Sequence, residues 1–252
     1  MDDQHPALRL QAVSKSFGGT RAVRSVSLAV PNGERRALIG PNGAGKTTLF
    51  NAIAGEFKPD EGTIELFGID ITHKTIHHRA RLGLGRTYQI SQLFLNLTVE
   101  QNLFLAAAAN RGGGLDPLRP WRNRAHELET ARETAMRVGI AAYLPYPVST
   151  LAHGTQRQLE IGMALAMRPR LIILDEPAAG LSPAERAALT ELVKALPRDL
   201  TLILIEHDME IVLEVADRIT VLQQGSVLAE GTPAEVRSNQ AVQEVYLGNF
   251  HA

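Results

Sequence analysis

The sequence predicts an α/β fold with a parallel sheet at its centre, an antiparallel β-rich start and an inserted helical lobe. Three observations carry this. RRALIG (Arg35 to Gly40) is a short apolar run stopped by glycine, and TTLFNAIAG (Thr47 to Gly55) follows with helical spacing and a second glycine stop. LIILD (Leu171 to Asp175) and TLILI (Thr201 to Ile205) show no polar alternation, as expected of strands covered on both faces inside a parallel sheet. Between those two runs, residues 184 to 196 are spaced as a helix.

Each further element has its own signal. Residues 8 to 30 alternate polar and apolar side chains around Gly18-Gly19, which predicts an antiparallel hairpin. GTIELFGIDI (Gly62 to Ile71) predicts a second strand pair. From Val99 to Val138 the spacing becomes helical, broken by RGGGLDPLRPW (Arg111 to Trp121), whose glycines and prolines cannot continue a helix. Another helix is expected after His153. Thr232, Pro233 and Glu235 fit the N-cap, N1 and N3 positions of a final helix. No internal repeat is visible, so the chain holds one copy of its unit.

Composition narrows the function classes. The 252 residues, 44% hydrophobic and 21% charged, suffice for one substantial core. Lys and Arg number 26 against 27 Asp and Glu, a net charge of -1 that offers no basic field to a nucleic-acid backbone. No nucleic acid partner is expected. The absence of cysteine excludes disulfides and thiolate metal sites, and MDDQHPALRLQ lacks the layout of a secretion signal, so the cytoplasm is the expected compartment. LFLAAAA from Leu103 and LIIL from Leu171 fall short of the roughly 20 residues that cross a bilayer. A membrane role would have to come through another subunit.

The chemistry concentrates in two stretches. GPNGAGKTT, comprising Gly40, Pro41, Asn42, Gly43, Ala44, Gly45, Lys46, Thr47 and Thr48, fits G-x-x-x-x-G-K-[ST] after a predicted strand and at the start of a helix. Glycines let successive N–H groups converge on phosphate oxygens, the helix start adds positive potential, Lys46 neutralises the outer phosphates and Thr47 offers a hydroxyl to Mg²⁺. ATP and Mg²⁺ are thus the expected ligands. Asp175 and Glu176 end a buried strand at the sheet's carboxyl edge, where Asp175 is placed to hold the Mg²⁺ hydration shell and Glu176 to take a proton from attacking water.

The order of motifs resembles the ABC ATPases, a phosphate-loop NTPase family, along nearly the whole chain. Phe17 matches the aromatic that stacks on adenine, Gln89 in GRTYQISQLF matches the Q-loop glutamine, and LAHGTQ (151 to 156) matches the signature sequence. AAGLS (178 to 182) falls at the D-loop and His207 at the switch histidine. The resemblance implies that Gln89 brings its side-chain oxygen to Mg²⁺ or the water, and that His207 donates to the γ-phosphate. It also implies that Leu151, Ala152, His153, Gly154 and Thr155 cap the ATP held by a second subunit, so a dimer is the catalytic unit. Residues 1 to 88 and 160 to 236 would form the nucleotide-binding core with its β-subdomain, residues 89 to 159 the helical subdomain, and 237 to 252 a tail. Ala152 stands where the signature has serine, so that hydroxyl is missing, and Ser182 stands where the D-loop commonly has aspartate.

Within the family, GLGRTYQISQLFLNLTVEQNLFLA (Gly83 to Ala106), the insertion before Arg124, IEHDMEIV (Ile205 to Val212) and EGTPAEVRSNQAVQEVYLGNF (Glu230 to Phe250) look like the ATPase subunit of a branched-chain amino acid importer. Urea-type importer ATPases, in which a histidine in the signature is familiar, and a lipopolysaccharide-exporter ATPase share much of the pattern; the insertion speaks against the exporter. A soluble, non-transport ABC ATPase is the rival from another class. The importer resemblance implies membrane permease partners docking along Gln89 to Ala107, with Leu93, Phe94, Leu95 and Leu97 partly exposed. It also implies indirect service to a periplasmic solute-binding protein, and a position on the inner face of the cell membrane.

Overall fold

The computed structural model describes residues 5–87, 93–109 and 123–246. The chain opens with the antiparallel hairpin of β1 (Leu8–Phe17) and β2 (Thr20–Val30), turned at Gly18 and Gly19. Strand β3 (Arg35–Ile39), helix α1 (Lys46–Ala54) and the strand pair β4 (Glu61–Leu66) and β5 (Ile69–Asp70) follow. Next come α2 (Ile76–Arg81), β6 (Leu84–Arg86), and the helices α3 (Val99–Ala109), α4 (Ala125–Arg137) and α5 (His153–Ala166). Alternation resumes with β7 (Leu171–Asp175), α6 (Pro183–Lys194), β8 (Thr201–Ile205) and α7 (Met209–Val215). The hairpin of β9 (Arg218–Gln223) and β10 (Ser226–Gly231) leads to α8 (Pro233–Ser238) and α9 (Gln240–Val245).

Two sheets result. The antiparallel one runs β2-β1-β4-β5, and the other runs β10-β9-β3-β8-β7-β6, parallel throughout except for β10. Both apolar strand runs are buried at every position, and their two faces feed different cores. Ile172, Leu174, Leu202 and Leu204 join one cluster with the helical lobe and α6. Leu171, Ile173, Ile203 and Ile205 join a second, with α1 and the antiparallel sheet. Side chains alternate across a strand, so a run without polar residues is what a central strand with two covered faces requires.

The expected hairpin, strand pairs and helices are present, including the capping box of Thr232 and Glu235 with Pro233 at the start of α8. Residues 218–231, to which the sequence reading assigns no element, form the β9–β10 hairpin. Its turn uses Gln224 and Gly225, both at positive φ (49° and 83°), a pair without the Asn-Gly signature of such turns. In the expected tail, α9 contributes Val242, and Tyr246 beyond it joins the same cluster against β3 and β9. Trp121 and most of the insertion before Arg124 lie outside the described residues.

Candidate functional site

Strands β3, β8, β7 and β6 are neighbours in that order and parallel, so their carboxyl ends open onto one edge. From β3 comes the loop 40–45, from β8 the segment Glu206–Asp208, from β7 Asp175 and Glu176, and from β6 Thr87. Residues far apart in sequence thereby face a common crevice, the usual ligand position in an open α/β sheet.

The loop can run here because two of its residues lack a Cβ. A Cβ on Gly40 would strike the Leu222 carbonyl, and one on Gly45 would strike the carbonyl of Ala22 in β2. Gly45 also holds φ 98°, in the left-handed region, and caps α1. The first N–H groups of α1 have no partner in their own helix and point back toward the loop. Asn42, Gly43 and Thr47 are exposed, Pro41, Gly45 and Thr48 half-buried, and Gly40 and Ala44 buried. Lys46 is buried and spans the loop, its Nζ donating to the carbonyls of Gly40 (2.7 Å) and Pro41 (3.1 Å).

Lys46 and the two carboxylates form one electrostatic unit. Burial lowers the Lys46 pKa, against which the charges of Glu176 and Asp175 pull upward. Asp175 is pushed up to about 6, first by burial and then by the adjacent Glu176. The Asp175 N–H donates to the Thr87 hydroxyl (3.3 Å), and the Glu176 N–H to the Ile205 carbonyl (2.8 Å), binding β7's end to both neighbouring strands. Glu176 itself stands at φ 46°, an unusual conformation for a residue with a side chain.

His207 leaves β8 with its side chain exposed. Beneath it, Glu206 is fully buried and accepts from the N–H groups of Ala178 (3.0 Å), His207 (3.0 Å) and Asp208 (3.4 Å). One carboxylate therefore links the histidine's backbone to the segment just after Glu176, and neutralises three otherwise orphaned donors. Sequence reading missed Glu206; its only signal is a carboxylate placed directly after a fully apolar strand.

The signature residues sit elsewhere, at the start of α5. Ala152 and His153 are exposed, Leu151 and Thr155 half-buried, and Gly154 is buried. His153 lies beside Gly180, and the Gly154 N–H donates to Glu185 Oε1 at 3.1 Å. The group thus faces the loop 178–182 of its own chain rather than gathering with Lys46. Ser182 is the N-cap of α6, in a capping box with Glu185. Phe17 stands at the tip of the β1–β2 hairpin, 49% exposed, with its ring edge-on to Phe57 at 5.3 Å. Gln89 lies outside the described residues. No helix among the described residues is long and apolar enough to cross a membrane.

A glycine-rich loop entering a helix, with a lysine coupled to acidic residues at the end of a strand two places along the sheet, defines a phosphate-loop nucleotide-binding ATPase. The family model described as ABC transporter matches residues 23–179, and one described as branched-chain amino acid ATP-binding cassette transporter matches residues 226–252. The chain belongs to the ABC transporter family and is an ATP-hydrolysing subunit of that kind. The high-affinity branched-chain amino acid transport ATP-binding protein BraF of Pseudomonas aeruginosa is 40% identical over 250 residues, covering 96% of this chain and 98% of that protein. The corresponding LivG protein of Salmonella typhimurium is 41% identical over the same shares. Among solved structures, the ADP conformation of an ATP-binding cassette from an ABC transporter aligns with a TM-score of 0.83 at 30% identity, covering 96% of this chain and 98% of the other. The cbiO1 protein of Clostridium perfringens aligns with a TM-score of 0.81 at 27% identity, covering 97% and 96%.

Proposed function

We propose that this chain powers import of branched-chain or related amino acids, as one of two ATPase subunits bound to the inner face of the cell membrane through permease subunits. The observation that carries this reading is identity of about 40% to BraF and LivG along 96% of the chain, including the segments outside the phosphate loop.

In the proposed reaction, water bonds to the γ-phosphorus as the bond to the departing ADP oxygen breaks, and Glu176 takes the water's proton. Lys46 and the α1 N–H groups hold the outer phosphates, His207 donates to the γ-phosphate, and Phe17 stacks on adenine. The residues present fit Mg²⁺. Asp175 carries its ionised form against burial and a like neighbour, a conflict a cation relieves, and the exposed Thr47 hydroxyl adds a second oxygen of the type this ion takes. Gln89 would join Thr47 and Asp175 in holding it. When bound, the ion neutralises charge on the β- and γ-phosphate oxygens. Leu151 to Thr155 would close the site of a second subunit, which excludes water from the phosphate's open face.

Permease docking is supported by an apolar groove of about 350 Å³ lined by Leu93, Phe94, Leu105, Ala106, Met163 and Met167. Phe94 and Leu95 are 51% and 49% exposed, while Leu93 and Leu97 are half-buried. His153, a signature feature shared with urea-type importer ATPases, gives urea as a second reading. Reconstitution with the permease and its binding protein, followed by ATPase assays with leucine, isoleucine, valine and urea, tests both. Stimulation by the amino acids supports the proposal, and stimulation by urea alone overturns it.

A further inference from the structure

We propose that Arg157 is the positioning residue that aims Glu176, and that it ties this aim to the helix carrying the signature residues. The inference rests on the reading of Glu176 as the base.

Arg157 lies on α5, one turn after His153, and is 7% exposed. All three guanidinium nitrogens are engaged. Nη2 donates to the Glu176 carbonyl at 2.6 Å, Nε to the Pro177 carbonyl at 2.8 Å, and Nη1 to Glu160 Oε2 at 2.6 Å. The two carbonyls are consecutive, so the flat guanidinium orients two successive peptide groups, the first of them the one that follows Glu176. That peptide needs fixing, because Glu176 holds φ 46° and a residue with a Cβ leaves this conformation unless its surroundings hold it.

The Glu176 N–H is already bound to Ile205, and the Ala178 N–H to Glu206. Arg157 supplies the side-chain restraint on the peptide groups between them. Loss of the fork would let Glu176, which precedes Pro177, relax toward the extended region and swing its carboxylate away from the crevice. Because Arg157 rides on α5, any rotation of that helix against the sheet shifts Glu176. In the proposed dimer, where Leu151 to Thr155 close the site of a second subunit, this helix can thus set the aim of the base in its own chain.

Steady-state ATPase assays of the full chain with Mg-ATP test this. The variants are Arg157→Lys, the pair Arg157→Met with Glu160→Met, which removes both members of the Arg157–Glu160 ion pair, and each of these combined with Glu176→Gln. The Met pair is expected to lower kcat by about 10- to 100-fold with KM changed less than about threefold. Arg157→Lys, which keeps the charge and one donor position, should recover part of the turnover. In the Glu176→Gln background the same changes should cost less than about twofold, since a residue acting through Glu176 has nothing left to aim. Turnover within about twofold of the parent in both Arg157 variants overturns the proposal, as does an equal fall in the two backgrounds or a change confined to KM. Should the Met pair not fold, Arg157→Lys in the two backgrounds decides the matter by the same comparison. If Glu176→Gln alone leaves turnover unchanged, the reading of the base fails; if it slows turnover while the Arg157 variants do not, only the present inference fails.

Discussion

The Gly154 N–H donates to Glu185 Oε1 at 3.1 Å, joining the start of α5 to the start of α6. The other oxygen of Glu185 accepts from the Ser182 N–H (2.9 Å) and hydroxyl (2.7 Å). One carboxylate therefore sits at two helix N-termini, where the dipoles of both favour negative charge. A Cβ at 154 would meet the Glu185 carboxylate, so a side chain there would push Glu185 off these hydrogen bonds. Ser182, which departs from the aspartate common in the family's D-loop, has work within its own chain.

Ser182→Ala should remove the cap of α6 and cost about 1 kcal/mol. For a chain of this size that is about 2–4 °C in melting temperature. Thermal melting followed by circular dichroism checks it, and an unchanged midpoint would show the capping box to be idle.

Glu176→Gln should slow hydrolysis by about 10²–10⁴-fold, the span for a positioned base. Nucleotide binding, measured with a fluorescent ATP analogue, should persist because Lys46 and the loop are untouched. Unchanged turnover would remove Glu176 from the mechanism.

Ala152 is the N-cap of α5 and offers its helix no side-chain hydrogen bond. Ala152→Ser supplies a hydroxyl, so the melting temperature should rise by an amount matching about 0.5–2 kcal/mol. ATPase turnover should be preserved or raised. A large fall would mean that the departure at this position is specifically adapted.

Acid stability should show two opposing slopes when measured in chelator. Asp60, Asp70, Glu185 and Glu235 are held below the usual carboxylate range by hydrogen bonds, chiefly from Lys15, the Thr72 side chain, Ser182 and the Thr232 N–H. Their stabilisation is complete above the ordinary values near 4 and is lost as pH falls through the depressed ones. Asp175, pushed up to about 6, works oppositely, since the fold disfavours its charge and gains stability as it protonates. Melting temperature should rise from pH 7 toward 5 and fall below about 4. Asp175→Asn should abolish the rise and leave the acid fall in place.

Legibility in the sequence followed range. The phosphate-loop motif was readable because its glycines, lysine and threonines fall within nine consecutive residues, from Gly40 to Thr48. The apolar runs at Leu171 and Thr201 announced central strands because no polar face was needed. Arg157, Glu185 and Glu206 were not readable as site residues. Their partners, Glu176, Gly154 and Ala178, lie 19, 31 and 28 positions away, and a charged side chain in a helix or after a strand ordinarily faces water. The β9–β10 hairpin escaped because its turn places Gln224, rather than asparagine, in the left-handed conformation.

By itself the sequence determined the opening hairpin, the central apolar strands and the longer helices, and that one loop has the makeup of a phosphate cradle near a pair of acids. Local periodicity and short motifs act over a few residues, so they need no knowledge of the rest of the chain. Only the tertiary structure decided that β8 lies between β3 and β7, bringing His207 to the edge shared with Lys46 and Glu176, and that Arg157 and Glu206 hold the backbone on either side of the turn at Pro177. Strand order and buried polar pairing are settled when all apolar faces must be covered together and every buried donor must find an acceptor, a condition set by the whole fold.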